Sequence, residues 1–188
     1  MSHPQPPCSA DEALQQLKDG NARFMQGQML HPNQSPQRRS ELTAGQHPFA
    51  VVLGCSDSRI APEVVFDQGL GDLFVVRVAG NTAPDVVRWS VEYAVDHLGS
   101  ALVVVLAHSA CGAVTAAVQA QGSPEAGQGL MGLLQPAVRA GDTVDEAAQR
   151  SARLTVQRLV DESPCLRRPG VRVVPAYYDQ ASGEVTWL

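Results

Sequence analysis

Two short runs of this chain hold side chains suited to metal chemistry: Cys55-Ser56-Asp57-Ser58-Arg59 and, about fifty residues later, His108-Ser109-Ala110-Cys111. Two thiols and one imidazole are soft or borderline donors, a set that suits one zinc ion per chain and leaves one tetrahedral position open. An open position distinguishes a catalytic zinc from a structural one. If the chain stays extended past Cys55, the two-residue period puts Cys55, Asp57 and Arg59 on one side. A spacing of three across a strand-to-helix turn lets His108 and Cys111 converge on the same ion. Cys111 then sits at a helix N-terminus, where the dipole favours thiolate. Zinc held by two thiolates and a neutral imidazole carries no net charge, and water is the expected fourth ligand. Coordination lowers the pKa of such a water from 15.7 toward about 7. The zinc-bound hydroxide is a nucleophile for a small electrophilic carbon. An ionised Asp57 can only accept, so it takes the hydroxide's hydrogen bond and aims a lone pair at substrate, with Arg59 keeping it ionised and oriented.

Taken singly, these residues have ordinary readings. An Asp–Arg pair in a turn is worth little, and a lone buried His or Cys is more often packing than ligand. Two ligand groups at two strand ends make the metal reading coherent. Cys8 and Cys165 receive no role, and His3, His31, His47 and His97 default to surface or structural positions.

The elements that must position these groups are legible around them. Phe49–Leu53, Leu73–Val78, Ala101–Ala107 and Val171–Tyr178 are apolar, β-branched runs, as expected of buried parallel strands. Between them lie helical segments over Pro62–Gln68, Pro84–Leu98, Cys111–Gln121 and Thr143–Glu162, with a Gly/Pro-rich loop at Gly122–Gly129. Ser9 and Glu12 stand at capping-box distance before a first helix, and the polar, Pro-bearing stretch Leu30–Ser40 follows it, so residues 9–40 read as an N-terminal helical arm. Asp179–Gly183 reads as a turn into an edge strand, Glu184–Leu188. The expected fold is a single α/β domain over residues 9–188, after a flexible tail at 1–8. Its sheet is parallel-centred and flanked by helices, with an antiparallel edge strand. Cys55 and His108 each follow an apolar strand directly, and open α/β sheets bind ligands at the carboxyl ends of their strands.

Composition narrows the function classes. The net charge of −5, with no Lys/Arg run, argues against a nucleic-acid partner. The longest apolar run, Ala101–Ala107, is too short to span a bilayer, and the N-terminus lacks a signal pattern. Four cysteines in 188 residues make no disulfide framework, so a cytoplasmic, reducing setting is expected. Charged residues are only 18% of the chain, which hints at surface buried between subunits.

These residues resemble the β-class carbonic anhydrases. The likeness rests on Cys55–Arg59, His108–Cys111, Arg77-Val78-Ala79-Gly80-Asn81, Glu92-Tyr93-Ala94-Val95, Cys111-Gly112-Ala113-Val114, and Tyr178-Asp179 with Gly183-Glu184-Val185. The resemblance implies reversible hydration of carbon dioxide to bicarbonate and a proton. It implies self-association as a dimer, or a dimer of dimers, with shared active sites. It further implies that Gln46 donates a hydrogen bond to substrate, that Phe74, Ala79 and Tyr93 line an apolar slot, and that the Gly112 N–H contributes another bond. In one subtype of the family the Asp swings onto zinc, alongside a bicarbonate pocket that uses a Trp shortly before the first Cys. Val52 stands at that place, so an open site with Asp57 on Arg59 is expected. Two departures stand out: Ala107 replaces a Gly before the ligand His, and Pro175 replaces a Gly on the last long strand, suggesting an edge or a bulge.

Three other readings remain open from the residues alone. One is hydrolysis of carbonyl sulfide or carbon disulfide at the same zinc, which relatives in the family perform. Another is a cysteine hydrolase with Ser109–Ala113 as a nucleophile elbow. The last is a non-catalytic zinc site closed by a fourth protein ligand.

Overall fold

The computed structural model describes residues 8–188, Glu125 by its backbone alone. The expected tail, but for Cys8, and His3 lie outside those residues. Helix α1 (Ala10–Met25) begins at the expected capping box: Ser9 accepts from the Glu12 N–H, and Glu12 reaches back to the Ser9 N–H. α1 is the expected N-terminal helix, and it also packs on the sheet of its own chain. Ala10, Ala13 and Leu17 are buried against the sheet, and Asn21 ties the helix to the chain's far end through Gly183 O and Val185 N, both at 2.9 Å. A Cβ on Gly20 would stand 1.8 Å from the Phe66 carbonyl, so only glycine permits this approach. The chain then crosses a short α2 (Pro36–Glu41), not foreseen within the polar Leu30–Ser40 stretch, where Ser35 caps the helix and Pro36 supplies its first turn.

Strand β1 (Ala50–Gly54), α3 (Pro62–Val65), β2 (Leu73–Arg77), α4 (Asp85–His97), β3 (Leu102–His108) and α5 (Gly112–Gln119) follow in alternation. Helix α3 is shorter than expected because Asp67 takes a positive φ of 46°. That turn lets the buried Asp67 carboxylate collect Arg23 Nε at 2.6 Å and the Leu30 and His31 amides at 3.0 Å. The Gly/Pro-rich segment contains a 3-10 turn and leads into an unforeseen α6 (Gly129–Leu134). α7 (Val144–Glu162) opens on a second capping box, Thr143 with Glu146, before β4 (Arg172–Tyr178) and β5 (Val185–Trp187) close the sheet.

The five strands are ordered β2-β1-β3-β4-β5, the first four parallel and β5 antiparallel to β4, as expected. β1 and β3 are wholly buried and alternate between two cores. Val51, Leu53, Val103, Val105 and Ala107 face the layer of α4–α7, whereas Ala50, Val52, Leu102, Val104 and Leu106 face α1 and α3. Val52 is packed in the second core. Pro175 makes no bulge, since the β3–β4 register runs through it unbroken. Its carbonyl accepts from Leu188 N at 3.0 Å, so its missing N–H faces the chain's last residue beyond β5 and leaves the β3–β4 ladder intact.

Candidate metal centre

β1 and β3 are adjacent and in register, so their carboxyl ends stand side by side. Cys55 leaves the end of β1, and His108 is the last residue of β3. The Cys55 turn is held by Arg77 at the end of β2, whose Nε donates to Cys55 O at 2.9 Å and whose Nη2 donates to Asp57 O at 2.6 Å. Gly80 N donates to Cys55 Sγ at 3.3 Å from the 3-10 turn after β2. The chain is not extended past Cys55, as the two-residue period assumed. Instead Asp57 makes a tight turn, accepting the Arg59 N–H on Oδ1 at 3.0 Å and the Ile60 N–H on its carbonyl at 3.1 Å. That turn folds Arg59 back on Asp57, with Nε to Oδ1 at 2.9 Å and Nη2 to Oδ2 at 2.6 Å. The Arg59 guanidinium beside it holds the Asp57 carboxyl well below the usual carboxylate range.

At the end of β3, Ser109 N donates to Tyr178 O at 2.9 Å, continuing the β3–β4 ladder. His108 Nδ1 lies 2.8 Å from Ser109 O, which fixes the N–H on Nδ1 and leaves Nε2 a free lone pair. Gln180 braces the same turn, donating from its side-chain amide to Ser109 O and from its backbone to Ser109 Oγ at 2.9 Å. Cys111 caps α5.

Cys55 Sγ, His108 Nε2 or Nδ1, and Cys111 Sγ all lie within 4.8 Å of one another, and the two sulfurs are 4.0 Å apart. The three residues are 4%, 1% and 1% exposed. A tetrahedral ion with Zn–S of about 2.3 Å and Zn–N of about 2.0 Å sets donor separations of roughly 3.5–3.8 Å, so the two sulfurs stand within tenths of an ångström of that geometry and the imidazole within about 1 Å. His108 Nε2 is buried with no hydrogen-bond partner, an orphan that a metal satisfies. Without an ion the thiols share a proton. The Cys111 hydrogen bond, opposed by burial, lowers the Cys55 thiol below its ordinary range, with His108 and the Gly80 N–H adding to it. The same bond and burial push Cys111 up, against the pull of the Val114 and Ala113 amides at the start of α5. A divalent ion replaces that shared proton. The donor set fits zinc.

The expected substrate residues divide into two sets. Ala79 precedes Gly80, and Gly112 directly follows Cys111, so both border the cluster. Gln46 is exposed at the amino end of β1, on the far side of the strand from Cys55. Five strand residues intervene, about 16 Å at ordinary rise. Phe74 pairs with Val51, four residues short of Cys55, and its ring lies tilted by 43° against Tyr93 of α4, centroids 6.3 Å apart. One chain therefore does not bring Gln46 or Phe74 to its own cluster. Sequence reasoning missed Arg77 and Gln180 as supports of the ligand turns. Arg77 stood in a motif noted only for likeness, and nothing in residue type marked Gln180. Ala107 is fully buried opposite Tyr177, so its extra methyl lies in the core layer.

A buried centre of two thiolates and one imidazole, set at the carboxyl edge of a parallel sheet, defines a mononuclear zinc protein of the α/β class. The comparisons place it more narrowly. The carbonic anhydrase family model matches residues 50–185. A carbonic anhydrase of Mycolicibacterium smegmatis is 54% identical over 119 residues, covering 63% of this chain and 58% of that protein. Carbonic anhydrase 2 of Mycobacterium tuberculosis is 45% identical over 163 residues, covering 82% of this chain and 79% of the relative. Among solved structures, the tetrameric β-carbonic anhydrases of Sordaria macrospora superpose with a TM-score of 0.69 at 25% identity, covering 82% of this chain and 87% of theirs. The chain belongs to the β-class carbonic anhydrase family.

Proposed function

We propose that this chain catalyses the reversible hydration of carbon dioxide to bicarbonate and a proton. One observation carries the reading: the carboxylate two residues from Cys55 is gripped on both oxygens by Arg59, while the metal cluster among the described residues has three members. Asp57 is thereby kept off the fourth position yet beside it. Zinc, when bound, supplies Lewis acidity that makes water a usable nucleophile near neutral pH. Asp57, held ionised by Arg59, accepts a hydrogen bond from that nucleophile's proton and orients it. His108 stays in the Nδ1–H tautomer through Ser109 O and offers Nε2 throughout. Ala79 and Gly112 border the space in front of the cluster, the latter offering a backbone N–H to substrate oxygen.

The remaining pocket residues argue for a partner. Val86, Trp89 and Tyr93 recur at helical spacing on α4 and are 65%, 57% and 48% exposed, beside the sheet-edge strand β2. We assign this face to self-association, as a dimer or dimer of dimers, with the second copy supplying Gln46, Phe74 and Tyr93. All four cysteines are free, which fits a reducing, cytoplasmic setting, and no described helix is long and apolar enough to cross a membrane. The nucleophile-elbow alternative loses support because Cys111 is 1% exposed and lies against Cys55. The closed-site alternative lacks a fourth protein ligand among the described residues.

The deciding experiment is stopped-flow indicator kinetics on protein containing one zinc per chain. Proton release on mixing with carbon dioxide, abolished by a chelator, is expected. Full zinc occupancy without turnover, or turnover of carbonyl sulfide alone, overturns the reading.

A further inference from the structure

Asp145 belongs to neither the ligand set nor the Asp57–Arg59 pair, yet it reaches the turn that joins the two ligands after β3. Ala110 in that turn has φ of 50°, the left-handed region that a residue with a Cβ enters only at a cost. Both peptides flanking its Cα are held from outside. The Ala110 N–H donates to Asp145 Oδ1 at 3.3 Å, and the Ala110 carbonyl accepts from Arg59 Nη2 at 3.2 Å. Fixing those two peptides fixes both dihedrals of Ala110, and with them the direction of Cys111 relative to His108. Asp145 itself sits in the first turn of α7, next to Tyr177, whose phenol is pushed above its ordinary range by burial and then by this carboxylate. The start of α7 does not depend on Asp145, since Thr143 and Glu146 already close a capping box there.

We propose that Asp145 is a positioning residue for the metal centre, holding Ala110 left-handed so that Cys111 Sγ and His108 Nε2 converge at zinc-binding separation. The proposal rests on the zinc reading of the cluster and not on turnover, so its test reads metal binding directly.

The full chain is compared with Asp145→Ala, Asp145→Asn and Asp145→Ala/Ala110→Gly. Zinc retention is followed by chelator competition, and ligand geometry by the thiolate-to-cobalt band of cobalt-loaded protein. Asp145→Ala is expected to weaken zinc retention about tenfold and shift the cobalt band, the size usual for losing a group that orients metal ligands. Asp145→Asn keeps an acceptor oxygen and stays within about threefold of wild type, a fraction of that loss. Adding Ala110→Gly recovers most of the loss, because glycine takes positive φ freely. As a control, Glu146→Ala removes the capping box, lowering Tm without moving the cobalt band. Unchanged zinc retention in Asp145→Ala, or a loss that Ala110→Gly leaves unrecovered, overturns the proposal. A wild-type chain with no thiolate-to-cobalt band overturns the metal reading itself, and the proposal with it.

Discussion

The ends of β1 and β3 deliver ligands to one point, but they are held there by different chemistry. The Cys55–Arg59 turn is fixed by guanidinium groups: Arg77 grips the Cys55 and Asp57 carbonyls, and Arg59 grips the Asp57 carboxylate. The His108–Cys111 turn is fixed mainly by neutral bonds from β4 and the loop after it, through Tyr178 O and Gln180, with Asp145 and Arg59 as charged supports at Ala110 alone. Charge-assisted bonds are roughly twice as strong as neutral ones. In the proposed reaction the stronger restraint falls on the turn bearing the carboxylate to be aimed, and the weaker on the turn that supplies two ligands. The proposed mechanism thus puts orientation for reaction at the β1 end and two of the three metal ligands at the β3 end.

Each expected outcome below can break that division, the largest effect first. Cys111→Ser removes a soft ligand and is expected to release zinc; unchanged metal content by atomic absorption would mean the ligand set is wrong. Asp57→Asn keeps zinc but lowers kcat by about 10²–10³, the range for losing a positioned proton acceptor. Near wild-type turnover would remove the reactive role from the β1 end. Arg77→Ala frees two carbonyls of the Asp57 turn and should lower kcat about tenfold at full zinc content, a modest case of misplacement. Gln180→Ala should do the opposite, weakening zinc retention by about three- to tenfold with kcat per bound zinc unchanged. If Arg77→Ala loses zinc and Gln180→Ala loses turnover, the division is reversed.

The smallest effect concerns pH. The folded pKa of Asp57 is depressed, so the stability its pair contributes is present above the unfolded carboxylate value of about 3.9. It is lost as pH falls through the lower folded value. The stability gap between wild type and Asp57→Asn in urea melts should stay flat from about pH 8 to 5 and narrow only below about pH 4. A gap that closes near neutrality would place the controlling ionisation elsewhere.

Much of this site was legible because its residues announce themselves. Cys55, Asp57, Arg59, His108 and Cys111 are unusual types at telling spacings, and β1 and β3 read as continuous apolar runs because both of their faces are buried. Strand bounds shifted by about a residue, as ladder ends do. α6 escaped notice because glycines and a proline surround it, and because its Leu134 takes its place only by packing near Gly80. α1 looked detachable because an amphipathic face does not say which surface will cover it. Its own sheet does, through Leu17 and the Asn21 bridge to β5.

The sequence by itself determined the donor set and the placement of both ligand groups at strand ends. Those follow from residue type and from the two-faced burial of parallel strands, which are local properties. Only the tertiary structure decided what aims those ligands. Arg77, Gln180, Asp145 and the Gly80 amide act on backbone atoms and sulfurs 20 to 71 residues away, brought near by sheet register and helix packing. It also decided that Gln46 stands at the wrong end of β1 to serve its own Cys55. A strand's rise per residue fixes that separation, which is why the proposed substrate pocket calls on a second copy of the chain.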